Sequence, residues 1–129
     1  MTDLLHGSRE VTLFDVYAAD CPARDLLSLA TGRWAVLVVG ALQDGPLRFG
    51  ALRRRLEGIS AKVLTEKLRE MEDGGLLDRR VDDRPLAVHY ELTPLGRGLV
   101  EPLAALRAWA ETSCDGARDR TGGATATGG

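Results

Sequence analysis

Between positions 49 and 92 the apolar residues change their period, and the change marks out the elements of the chain. Leu52 and Leu56 stand one helical turn apart in a short basic segment beginning at Phe49. After Glu57-Gly58-Ile59 a second segment opens at Ser60 and stops at Gly74-Gly75, with Leu64, Leu68 and Met71 at i, i+4 and i+7. That spacing puts the three on one helix face and turns Lys62, Glu66, Arg69 and Asp73 outward, with Thr65 and Glu70 on the shoulders. The Ser60 hydroxyl can accept from a free amide of the first turn, and the glycines permit a left-handed exit. From Leu77 the pattern alternates: Leu77, Arg79 and Val81, then Val88, Tyr90 and Leu92, separated by Asp82-Asp83-Arg84-Pro85. Period two on both sides of a turn predicts a β-hairpin. Thr93-Pro94 restarts a helix, with threonine as cap and proline at the first helical position.

Upstream, Pro22 to Ala30 reads as a short helix broken at Thr31-Gly32. From Arg33 to Leu42 nearly every position is apolar, which predicts a helix buried on most sides and anchored by Trp34, Leu37, Val38 and Ala41. The last helix is expected from Pro94 to about Ser113, with Leu95, Leu99, Leu103, Leu106 and either Trp109 or Ala110 in one stripe. Such a stripe fits either the core of the domain or the seam of a dimer. The expected fold class is α+β, mostly α: a winged helix-turn-helix with a two-stranded wing and flanking dimerisation helices. Residues 1–20 form an N-terminal arm, 21–113 the DNA-binding domain, and 114–129 a disordered tail rich in Gly, Thr and Ala.

A helix-turn-helix presents its second helix to base edges in the major groove while its first crosses the phosphates. Ser60, Lys62, Thr65, Glu66 and Arg69 are therefore the candidate readers, and Arg53, Arg54 and Arg55 the candidate phosphate contacts. Arg48 precedes the first helix, and Arg84 at the wing tip is a candidate for a minor groove, with a smaller effect expected because Asp82 and Asp83 beside it repel phosphate. Net charge is only −2, yet seven cations face two carboxylates between Leu47 and Arg69. A run such as Arg53-Arg54-Arg55 is often a solvated face; its place on the helix that crosses the backbone favours the phosphate role.

In this order the fragments resemble the HxlR family of bacterial transcriptional regulators: Cys21-Pro22, Gly32-Arg33-Trp34, Asp44-Gly45-Pro46, Arg48-Phe49, Gly58-Ile59-Ser60, Leu64-Thr65, Leu68-Arg69-Glu70 and Tyr90-Glu91-Leu92-Thr93-Pro94-Leu95-Gly96. The similarity spans about residues 21 to 110. The wing tip departs from it: where family members often carry a proline-rich tip ending in arginine, this chain has Asp82, Asp83, Arg84, Pro85, Leu86 and Ala87. The resemblance implies a homodimer on a double-stranded DNA operator, its seam made largely by the last helix. It also implies that Cys21, ahead of the first helix, responds to oxidants and electrophiles. Independently, a cysteine at a helix N-terminus feels the positive end of the helix dipole, which favours thiolate, while Asp20 and Asp25 oppose it. The plainer reading of Cys21 is a small, half-buried hydrophobe. If Cys21 is not the switch, a small-molecule effector pocket is the remaining route to a signal.

Catalysis is not expected. Phosphate-binding glycine loops are absent, Asp82 and Asp83 read as turn residues, and His89 reads as solvated or near a phosphate on the outer face of a wing strand. Cys21, Cys114, His6 and His89 have no zinc-ligand spacing, so no metal and no cofactor are expected. No stretch approaches the roughly 20 apolar residues of a membrane span, which predicts a cytoplasmic protein without a membrane partner. The competing function is a winged-helix protein–protein interaction module, since fold alone does not settle function. An adaptor would expose apolar residues on the second helix, where this chain has polar ones.

Overall fold

The computed structural model describes residues 13–83 and 86–128, with side chains to residue 116. Among the described residues six helices and three strands follow one another: α1 (Pro22–Thr31), α2 (Arg33–Leu42), β1 (Leu47–Arg48), α3 (Phe49–Arg55), α4 (Ala61–Asp73), β2 (Leu77–Asp83), β3 (Leu86–Leu92), α5 (Pro94–Arg97) and α6 (Val100–Gly128). The core gathers Val38, Val39 and Leu42 from α2, Leu52 from α3, Leu64, Leu68 and Met71 from α4, and Leu76, Leu77, Leu92 and Leu103. The i, i+4, i+7 set of α4 is buried as its spacing demands. In α2 the anchoring face is corrected: Val36, Val38, Val39 and Leu42 point inward, whereas Leu37 is 37% exposed. A helix apolar all round does not reveal from its sequence which side faces water.

Both ends of α4 are set by local chemistry. Ser60 is the N-cap and its Oγ accepts from the Val63 amide at 3.1 Å. At the other end Gly75 takes φ +85°, the Gly75 amide donates to the Glu72 carbonyl and the Leu76 amide to the Met71 carbonyl. Those two bonds are a Schellman closure, and they drop Leu76 into the core beside Met71.

The sheet is antiparallel with order β1-β3-β2, so the two-stranded wing gains a short third strand. Leu47 pairs with Tyr90 and Arg48 with His89, while Leu77 pairs with Leu92, Arg79 with Tyr90 and Val81 with Val88. Two residues make too short a run for periodicity to reveal β1. Asp82 and Asp83 also differ from expectation, lying within β2 opposite Ala87 and Leu86 rather than in the turn.

The last helix is broken. Thr93 caps α5 with Oγ1, which accepts from the Gly96 amide at 3.0 Å and donates to the Gly75 carbonyl at 2.6 Å. Pro102 has no amide to donate to the Gly98 carbonyl, and its ring would crowd that carbonyl, so the chain breaks at Gly98 and restarts at Val100. Leu95 therefore leaves the expected stripe. Leu99 packs against the core, Leu103 is buried, and Leu106 and Trp109 remain 44% and 65% exposed. The backbone of α6 is helical to Gly128.

Residues 15–20 form turns tied to α1 by Arg24, whose guanidinium donates to the Val16 carbonyl at 2.8 Å and the Tyr17 carbonyl at 3.3 Å. The rest of the expected arm, residues 1–12, lies outside the described residues. Among the described residues no single helix is long and apolar enough to cross a membrane.

Candidate nucleic-acid interface

The unit α3–turn–α4 begins from a tight connection. Leu56 closes α3, Gly58 takes φ +93°, a conformation that disfavours any side chain, and Ile59 is buried beneath the turn. The Arg53 Nε donates to the Ile59 carbonyl at 3.4 Å, a long bond that braces the turn from α3. With Leu52, Leu56, Ile59, Leu64 and Leu68 all buried, the angle between α3 and α4 is fixed by apolar packing.

That packing leaves Lys62, Thr65, Glu66 and Arg69 exposed at i, i+3, i+4 and i+7, one continuous polar face of α4, with exposed Ser60 at its N-terminal end. Lys and Arg can donate to guanine O6 and N7, and Glu can accept from cytosine N4, so the face carries groups for direct readout. The C-terminal end of α4 carries the exposed carboxylates Glu70, Glu72 and Asp73, which would repel a phosphate backbone.

The three consecutive arginines of α3 do not share a face, because neighbours in a helix are about 100° apart. All three are exposed, but Arg53 reaches the Ile59 carbonyl and Arg55 lines a cleft between α2, α3 and α6 with Gln43, Glu57, Arg107 and Glu111, which leaves Arg54 turned to solvent alone. Arg48 is exposed on β1, next to α3. Arg84 lies outside the described residues.

On the wing the register brings Arg48, His89 and Arg80 into one row. The Arg80 guanidinium donates to Glu91 at 2.9 Å, and His89 Nδ1 lies 2.9 Å from an Asp82 carboxylate oxygen. His89 is thus engaged by Asp82 rather than simply solvated. Both pairs are diagonal contacts across β2 and β3, visible only once the register is known. The exposed Arg79 and Arg80 were missed as candidate contacts. Their adjacency in a strand, which sends them to opposite faces, was the available signal.

Cys21 is the N-cap of α1: its Sγ accepts from the Ala23 amide at 3.3 Å, Pro22 follows at the first helical position, and the residue is only 7% exposed. Cys114 is exposed on α6, and both thiols are free. Large apolar side chains stand exposed nearby in the sequence of each: Leu13, Phe14, Leu26 and Leu27 before and within α1, and Leu106 and Trp109 on α6. Among the described residues no three His, Cys, Asp or Glu side chains converge as metal ligands.

The HxlR-like helix-turn-helix family matches residues 29–118. The HTH-type transcriptional regulator YtfH of Escherichia coli is 40% identical over 105 residues, covering 81% of this chain and 83% of YtfH. The solved structure of the regulator ytfH from Salmonella typhimurium superposes with a TM-score of 0.75 at 38% identity, over 84% of this chain and 97% of that one. The redox regulator HypR in its reduced form superposes with a TM-score of 0.68 at 31% identity, over 76% and 98% of the two chains.

Proposed function

Because the chain belongs to the HxlR-like helix-turn-helix family and is a transcriptional regulator rather than an enzyme, we propose that it binds a two-fold symmetric DNA operator as a cytoplasmic homodimer whose occupancy responds to a chemical signal. The observation that carries the DNA reading is the α4 surface: Lys62, Thr65, Glu66 and Arg69 form an exposed polar face while Leu64, Leu68 and Met71 are buried and Val63 is partly buried against the core. A protein–protein adaptor would need apolar anchors there. Lys62, Thr65 and Arg69 read bases, Glu66 discriminates by accepting, and Arg48 and Arg54 contact phosphates. Arg53 supports the turn as well as the backbone, and Arg55 and Arg84 contribute less, the latter because Asp82 and Asp83 stand close to it in the sequence.

The dimer rests on the apolar residues left uncovered on α6 and around α1, a surface that one subunit alone leaves in water. Two-fold symmetry would set the two α4 helices on half-sites about 10 base pairs apart, or a multiple of that.

For the signal, the similarity to the redox regulator HypR supports Cys21 as the responding thiol. If α6 forms the seam, Cys114 of one subunit could meet Cys21 of the other. Diamide would then accept two hydrogens as the two thiols become one disulfide, provided the Cα atoms come within about 7 Å. A bond at that place would fix the angle between subunits and hence the spacing of the two α4 helices. Footprinting the purified protein on its own upstream region, with and without diamide, tests the whole reading. The expected result is a symmetric footprint that changes with oxidant and returns with a thiol reductant. No protection of any upstream DNA at low salt would overturn it.

A further inference from the structure

A cavity of about 150 Å³ opens between the corner joining α1 to α2 and the flank of α4. Leu29, Trp34 and Met71 give it apolar walls, Arg33, Lys67 and Glu70 bring charged groups to it, and Ser28 stands at its rim. The Arg33 guanidinium sits 4.8 Å from the centre of the Trp34 ring, and the Lys67 ammonium is 3.3 Å from Glu70. We propose that this cavity binds a small effector made of one aromatic ring bearing a single negative charge, an aromatic monocarboxylate or phenolate. The inference deepens the reading of the chain as a signal-responsive regulator and rests on it.

Size, surface and charge each narrow the ligand. A volume of about 150 Å³ matches one benzene ring. The Trp34 indole and the Met71 thioether in the lining favour an aromatic over an aliphatic guest. Two cations against one carboxylate leave a surplus of one positive charge, which a monoanion neutralises and a cation would be repelled by. The ligand carboxylate or phenolate takes the place of Glu70 beside Lys67.

The position gives the ligand a route to DNA. Lys67, Glu70 and Met71 belong to α4, whose exposed face carries Lys62, Thr65, Glu66 and Arg69. A ring seated between that helix and the α1–α2 corner favours one placement of α4 over another, and a ligand shifts an equilibrium only through such a difference.

Benzoate is the probe, titrated calorimetrically into the full chain without DNA, with benzyl alcohol as the neutral ring of similar size. Benzoate should saturate one site per chain with a Kd of about 1 mM or tighter. Benzyl alcohol should bind at least tenfold more weakly. Lys67→Gln should weaken benzoate at least tenfold, and Ser28→Phe, an exposed α1 position on the cavity rim that would fill it, should abolish binding with the thermal melt unchanged. Absence of saturation, equal affinity for the neutral ring, or wild-type affinity in Ser28→Phe would each overturn the proposal. Operator binding by the same preparation separates this site from the broader reading. A chain that protects its operator yet ignores benzoate loses the cavity ligand and remains a DNA-binding regulator.

Discussion

The Arg107 guanidinium of α6 occupies the space that a side chain on Gly40 of α2 would fill: its Cζ lies 2.7 Å from the position of a Cβ there. From that seat Arg107 donates to the Gln43 side-chain oxygen at 3.3 Å and to the Val36 carbonyl at 3.5 Å, both on or next to α2. Arg97 donates to the Gln43 carbonyl at 3.1 Å. Two arginines far along the chain thus close the C-terminal end of α2 and fix where α6 leaves the domain.

Gly40→Ala and Gly96→Ala should differ sharply in stability. At Gly40 the clash is with the end of a flexible side chain, and alanine gains about 0.5–1 kcal/mol of helix propensity, offsetting the loss of weak Arg107 bonds. At Gly96 a Cβ would meet the Leu76 carbonyl oxygen, a backbone atom that already accepts from the Thr93 amide and cannot move alone. Urea melts should show Gly40→Ala within about 1 kcal/mol of wild type and Gly96→Ala destabilised by about 2 kcal/mol or more. Equal costs at the two sites would contradict the packing described.

Ser60 separates folding from binding. Ser60→Ala should cost about 1 kcal/mol of stability by leaving the Val63 amide without its cap. Ser60→Asp keeps a capping oxygen and should fold normally, yet it brings a negative charge to the end of α4 nearest DNA. Denaturation and operator binding measured together should show the alanine variant weak in the first and the aspartate variant weak in the second.

Salt dependence distinguishes the arginines from the readers. Arg54→Ala should weaken binding to all sequences alike and lower the salt slope by roughly 1 for each lost contact in each half-site. Lys62→Ala and Arg69→Ala should cost about 1–3 kcal/mol and relax preference at a definite base pair. Arg55→Ala, in the cleft facing α6, should move neither quantity appreciably. A wild-type operator preference in Arg69→Ala would remove α4 as the reader.

The uncovered stripe of α6 predicts the oligomeric state. Trp109→Asp should shift the protein toward monomer in sedimentation at tens of micromolar, as an order of magnitude, and weaken a palindromic operator far more than a single half-site. If the wild type sediments as a monomer at that concentration, the two-fold geometry has no basis.

Cys21→Ser should retain operator binding and lose its response to diamide. The hydroxyl can still accept from the Ala23 amide, so α1 keeps its cap and the substitution isolates thiol chemistry from folding. An unchanged diamide response in this variant would place the switch elsewhere.

Much of the fold was legible in the chain because its determinants are local. The buried stripe Leu64, Leu68 and Met71, the Ser60 cap, the Gly75 exit and the hairpin between Leu77 and Leu92 each depend on residues within a turn or a strand pair of one another; the first three stand as expected, and the hairpin forms with a shorter turn than the sequence suggests. The polar α4 face followed as their complement. What the chain did not disclose depends on residues far apart. β1 exists because two residues meet β3 about forty positions later, and His89 finds Asp82 only across the register. The roles of Arg53, Arg54 and Arg55 diverge because the turn, solvent and α6 lie on different sides of α3. Pro102 was a local signal that the longer apolar stripe obscured. Periodicity reports which side of an element is apolar; which neighbour covers that side is settled by tertiary packing, where contacts between distant residues compete for the same surface.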